Sequence, residues 1–190
     1  MPYPADPSAA LERASTPAWL AWVEAARAGD RAAFRSLHRD FASMVHGLLL
    51  ARVEPSSADD LTQEVFLSAW QRLDELREAL AWPRWLAAIA RRRALDHRRA
   101  LAKRPGTLPP ELGDHEDTTG TRASVRSEAE RLLILIRALP EPYVEPLLLR
   151  LVEGMSGPEI AERCDLSPGY VRVNLHRGMK LLRERLETKP

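Results

Sequence analysis

Apolar residues in this chain return every three or four positions and nowhere alternate over a useful length. That period constrains the fold more than any other feature. A repeat near 3.6 builds one-sided helices, whereas a half-buried strand needs a repeat of two. Phe34, Leu37, Phe41, Val45 and Leu48 make one stripe, and Leu61, Val65, Ala69, Leu73 and Leu76 make the next. The chain therefore reads as all-α. Its 190 residues, 45% of them hydrophobic, suffice for one or two small packed domains.

Punctuation divides the stripes. Residues 1–16 are rich in Pro and Ala and form a loose tail. A helix over 17–28 is closed by Gly29, and Asp30 caps its successor, which ends near Glu54-Pro55. Ser57 or Asp59 opens a helix that is expected to reach about Leu80. Pro83 breaks it, and another helix runs from about Arg84 to Ala102. Residues 103–123, dominated by Pro, Gly, Thr and acidic side chains, form a flexible linker. Helices over 124–138 and from about Pro142 to Val152 follow, with Pro146 predicting a late start or a bend. The expected architecture is two small helical domains, 17–102 and 124–187, joined by that linker.

Several classes of function are disfavoured. No apolar run approaches the ~20 residues of a bilayer span, and the N-terminus lacks the pattern of a secretory signal. Cys164 is the single cysteine, so no intrachain disulfide forms, and its expected role is a small core residue. The histidines are too scattered for a metal site. No nucleophile constellation, carboxylate pair or phosphate-binding glycine loop is present, so neither catalysis nor a cofactor is expected. A cytoplasmic location fits these features.

Charge is segregated, although the net value is only +1. Residues 59–78 carry six acidic side chains against two arginines, and residues 84–104 carry eight basic side chains against Asp96 alone. Neighbouring segments of opposite sign suggest two different partners, or else mutual pairing. The basic segment begins with the apolar stripe Trp85, Leu86, Ile89 and Ala90 and then leaves the core. Its arginines are flanked by alanine rather than by bulky apolar residues, which suits phosphate better than a membrane surface. Asp96 lies four residues after Arg92 and three before Arg99 and is expected to brace them. Trp82 and Trp85 stand beside the basic helix. Trp85 reads as core, while for Trp82 core packing and stacking on an unpaired base are equally open.

The C-terminal segment is the sharpest local signal. Ser156 and Glu159 form a capping box ahead of a short helix ending near Cys164. A tight turn, "DLSPG", leads to a second helix with Ser167 as cap and Pro168 at its first position. Val171, Leu175, Met179, Leu182 and Leu186 are its expected buried face. Gly169, Arg172, Val173, His176, Arg177 and Lys180 lie outside. This is a helix-turn-helix, whose second helix can read base edges in the major groove.

Taken in order, "FRSLHRDFASMVHGLLLARV", "ADDLTQEVFLSAWQRL", "WLAAIARRRALDHRR" and the C-terminal helix pair resemble a bacterial RNA polymerase sigma factor of the extracytoplasmic-function class. The resemblance covers about residues 18–102 and 126–187. It implies a region-2-like domain over 17–102 and a region-4-like domain over 124–187. It implies that Asp59, Asp60, Gln63, Glu64, Leu67, Gln71 and Asp74 dock on the clamp helices of the largest catalytic subunit of core RNA polymerase. Trp82, Arg84, Arg91, Arg92, Arg98 and Arg99 would recognise and melt the minus-ten element. Gly169, Tyr170, Arg172, Val173, His176, Arg177 and Lys180 would read the minus-thirty-five element, and the C-terminal domain would also meet the polymerase flap. An anti-sigma factor, often membrane-tied, is the implied regulator, which the two domains are expected to clamp; no direct membrane insertion is implied. Arg92, Tyr170, Asn174, Val144 and Pro146 depart from the usual pattern and point to a divergent promoter. The rival readings are a stand-alone helix-turn-helix regulator that binds duplex DNA without polymerase, and a helical adaptor.

Overall fold

The computed structural model describes residues 17–103 and 121–187, with side chains in the second span from residue 128 onward. Eight α-helices and two short 3-10 turns make up these residues, with no strand among them. The helices are α1 (Ala18–Arg27), α2 (Arg31–Leu50), α3 (Pro55–Gln71), α4 (Trp82–Ala102), α5 (Thr121–Arg137), α6 (Glu141–Leu151), α7 (Gly157–Cys164) and α8 (Pro168–Glu187). The tail and most of the linker lie outside the described residues.

Helix α2 is the centre. Asp30 caps it, its carboxylate accepting from the Ala32 amide at 2.7 Å and the Ala33 amide at 3.2 Å. Gly29, at φ 92°, makes the reversal from α1 that a side chain would strain. Leu37, Phe41, Met44, Val45 and Leu48 are completely buried, and α1, α3 and α4 pack around them. In the second group, α7 and α8 form the expected helix-turn-helix, with the Ser156–Glu159 capping box in place. Asp165 turns the chain between them in the left-handed region, at φ 57°, a conformation short polar side chains tolerate. Gly178 of α8 lies against α6. A Cβ there would come within 2.9 Å of Leu147 and 3.1 Å of Tyr143.

Four expectations about the helices need correction. The acidic helix starts at Pro55 and stops at Gln71, not Leu80. The chain then makes a 3-10 turn over Leu73–Glu75, held by Arg72 and Glu75 at 2.7 Å. Leu73 and Leu76 are buried as expected, because a three-residue spacing serves a tight turn as well as a helix. Pro146 does not delay α6. The helix begins at Glu141, and the ring is buried where it leaves the Pro142 carbonyl without its helical amide. Leu186 is 51% exposed. The inner face of α8 instead carries Asn174 and Gly178 alongside Val171 and Leu182.

The fourth correction concerns Trp82. It is fully buried, edge-on to Phe34 at 6.2 Å and to Phe41 at 6.1 Å, so it cannot stack on a base in this structure. Trp85 is the half-buried one, tilted against Trp82 at 5.8 Å. Helix α4 begins at Trp82, with Pro83 in its first turn, where a missing amide costs no helical bond. The Trp82 indole Nε1 is buried without a hydrogen-bond partner, which makes this packing costly to keep. Trp82→Ala is expected to lower the unfolding free energy by about 3–5 kcal/mol in denaturant titration. Trp82→Phe, which keeps a ring and removes the unpaired N–H, should cost far less.

Candidate polymerase and promoter interface

The acidic helix α3 turns one wet face outward. Asp59, Asp60, Gln63, Glu64, Leu67 and Gln71 are all exposed, and Asp74 continues the same polarity in the 3-10 turn. Leu67, 58% exposed in the middle of this field, has no role in the core. An apolar knob ringed by carboxylates and amides suits a helix–helix contact with a partly basic partner.

Helix α4 presents the opposite sign. Arg84, Arg92, Arg98 and Arg99 are exposed. Asp96 lies 3.9 Å from Arg92 and 3.8 Å from Arg99, the bracing the spacing predicts. The acidic and basic helices meet through Arg93 and Glu64 at 3.6 Å, so mutual pairing absorbs little of either charge.

On α8, Gly169, Tyr170, Arg172, Val173, His176, Arg177 and Lys180 are all exposed. Ser167 Oγ accepts from the Tyr170 amide at 3.2 Å and holds the first turn. Asn174, Val144 and Pro146, three departures from the usual pattern, are buried and so belong to packing. Arg92 and Tyr170 are on the surface.

Arg91 has a different setting. Its guanidinium meets Glu145 of α6 at 2.6 Å, and Arg52 meets the same carboxylate at 2.8 Å. Burial works to raise the Glu145 carboxyl, but the bond and charge of Arg91, with help from Arg52, outweigh it and hold it below the ordinary range. This junction is part of a direct packing of α6 and α7 on α2 and α4. Gly47 permits the approach, since a Cβ there would lie 2.7 Å from Leu149 and 2.9 Å from Glu153. Arg137 donates to the carbonyls of Leu50 and Val53 at the end of α2. Arg163 donates to the Asp40 carbonyl and lies 4.9 Å over the Phe41 ring. Sequence reasoning missed this set. Gly47 in mid-helix was its one visible trace.

His46 completes the junction, with Nδ1 2.6 Å from Glu153 and Nε2 3.5 Å from Asp59. The bond to Glu153 raises its pKa above the ordinary 6.5, against an opposing contribution from burial. Cys164 is buried, and burial pushes its thiol up to about 12, which makes it a poor nucleophile at neutral pH. Among the described residues no His, Cys, Asp and Glu group is placed to hold a metal ion, and no helix is long and apolar enough to cross a membrane.

A charged docking face, a basic helix and a helix-turn-helix on one chain define a factor that joins polymerase to DNA. Comparison with known proteins agrees. The family model for sigma-70 region 2 matches residues 33–104, and that for sigma-70 region 4 matches residues 129–182. The chain is 34% identical to the RNA polymerase sigma factor CarQ of Myxococcus xanthus, over 86% of this chain and 95% of that one. It is 30% identical to the RNA polymerase sigma-H factor of Pseudomonas aeruginosa, over 87% and 92%. It is 29% identical to the ECF RNA polymerase sigma-E factor of Haemophilus influenzae, over 88% and 94%. The solved structure of CnrH in complex with the cytosolic domain of CnrY shares the fold, with a TM-score of 0.63 at 22% identity, over 90% of this chain and 98% of that one. The chain belongs to the RNA polymerase sigma factors of the extracytoplasmic-function class. It binds core RNA polymerase and directs it to promoter DNA, a regulatory role.

The raised His46 pKa sets a sign for stability. A group more basic in the folded state stabilises it fully below its unfolded pKa, near 6.5, and loses that contribution as pH rises through the folded value. The thermal midpoint is therefore expected to fall as pH climbs from 6.5 into the alkaline range. In His46→Gln that fall should be smaller in a melting series across the same range.

Proposed function

We propose a division of labour among these surfaces, residue by residue. Asp59, Asp60, Gln63, Glu64, Leu67, Gln71 and Asp74 dock on the clamp helices of the largest polymerase subunit. Arg84, Arg92, Arg98 and Arg99 carry promoter phosphates and the opened minus-ten segment. Gly169, Tyr170, Arg172, Val173, His176, Arg177 and Lys180 read the minus-thirty-five element, and the same C-terminal domain meets the flap. In this reading residues 17–102 and 124–187 are the two working domains. Their work lies in the cytoplasm, where polymerase and promoter meet, and an anti-sigma protein is the regulator the family resemblance implies.

One observation supports the division most. Leu67 stands exposed in an acidic field on α3, while α4 presents Arg84, Arg92, Arg98 and Arg99 to solvent and α8 presents Arg172, Arg177 and Lys180. Like charge repels phosphate, so the α3 face is suited to protein and the other two to nucleic acid. A stand-alone regulator would leave the α3 face without a purpose. Promoter melting then needs no bond chemistry. Capture of flipped bases and phosphate contacts offset an unstacking cost of a few kcal/mol.

Two experiments test the assignment. Replacing Asp60, Gln63 and Leu67 by Arg, Ala and Arg should abolish retention of the chain on immobilised core polymerase while leaving its helical melting intact. Retention equal to wild type would refute the docking role. In promoter-binding titrations with the holoenzyme, Arg98→Ala should weaken binding uniformly across sequences and reduce the salt slope by about 1. Arg177→Ala should instead cost about 1–3 kcal/mol at particular bases and relax selection there.

A further inference from the structure

We infer that His46 and Glu153 form a proton-operated latch between the two helical groups, tightened by acid and loosened by alkali. Glu153 lies in the turn between α6 and α7, and its side chain is only 10% exposed. It comes down on α2 beside Gly47, where a Cβ would stand 2.9 Å from the Glu153 Cγ. Among the described residues the His46 ring is the one side chain that its carboxylate bonds, with Nδ1 at 2.6 Å. Glu145, the other carboxylate buried in this junction, is held by two guanidinium groups, Arg91 at 2.6 Å and Arg52 at 2.8 Å. Guanidinium groups stay charged at every physiological pH, whereas an imidazole does not.

The two carboxylates therefore depend on pH differently. A protonated His46 ring neutralises Glu153. A neutral ring can still donate one hydrogen, but it leaves a buried carboxylate without a counter-charge, which is costly. Asp59 of α3, 3.5 Å from Nε2, is the other charged group that faces the ring, and its side chain is 83% exposed. Asp59 belongs to the same helical group as His46 and stays beside it when the groups part, whereas Glu153 leaves. The part of the ring's surroundings that changes at separation is thus Glu153 and the burial that comes with it. The bond to Glu153 outweighs that burial, so the joined state holds the His46 proton more tightly. Low pH favours joining. The advantage is complete below the ring's pKa in the separated state and is lost as pH rises through its joined value. The bonds that Arg52, Arg91, Arg137 and Arg163 make across the junction run to carboxylates and carbonyls, pairings that do not change charge in this range. Cys164, its thiol pushed up to about 12, is silent there as well.

The ring itself supplies the test. His46 is titrated by proton NMR in the full-length wild type and in Gly47→Leu, whose side chain would wedge the groups apart, since even a Cβ lies 2.7 Å from Leu149. Small-angle scattering checks that the variant has expanded. The pKa of the ring should stand above 6.5 in the wild type and fall in the expanded variant. A fall of one pH unit corresponds to a tenfold effect of the proton on the joining equilibrium. Glu153→Gln, which adds no bulk, should lower the ring's pKa too, and it carries the test if Gly47→Leu stays compact or loses its cooperative melting. Equal pKa values in the wild type and the expanded variant would overturn the latch. An unchanged pKa in Glu153→Gln would overturn it equally.

Discussion

The structure depends on helix α2 being packed from every side along its C-terminal half. Leu37, Phe41, Met44, Val45 and Leu48 bury one side among α1, α3 and α4, while Gly47 lets α6 close over another. A helix apolar on one stripe supports one layer. This one supports two, because a missing side chain allows a second helix to come within contact of its backbone. The polar bonds of the junction gather around that contact. His46, Arg52 and the carbonyls of Leu50 and Val53 all project from this end of α2 or the turn beyond it.

Much of this was legible in the sequence. The helix period, the Asp30 cap, the Ser156–Glu159 box and the outer faces of α3 and α8 follow from local rules whose partners lie within a few residues. Where the reading failed, two structures shared one signal. Leu73 and Leu76 are equally well buried by a helix or by a tight turn, so spacing could not place the end of α3. Trp82 and Trp85 both pack on the core, and spacing alone could not say that Trp82 is the fully buried one. On α8, Leu186 continues the apolar period past the point where any described residue buries it.

The contact between the two helical groups was nearly invisible. Glu145 lies 54 residues from Arg91, and Glu153 lies 107 from His46. A carboxylate on an amphipathic helix looks the same whether it faces water or two guanidinium groups. Arg91, grouped by sequence with the DNA-facing arginines, is half-buried and engaged where Arg92, its neighbour, is free to solvent on 81% of its side chain. A rotation of about 100° per residue separates a junction from a surface.

Gly178 gives α8 a property beyond its exposed side chains. It sets how deeply α8 sits against Leu147 and Tyr143, and hence the angle at which the whole helix projects. An added methyl there would have to displace Leu147 and Tyr143 or shift α8, and a shift of α8 would move Arg172, His176 and Arg177 together. If α8 reads the promoter as proposed, its selectivity then depends on a layer that never meets a base.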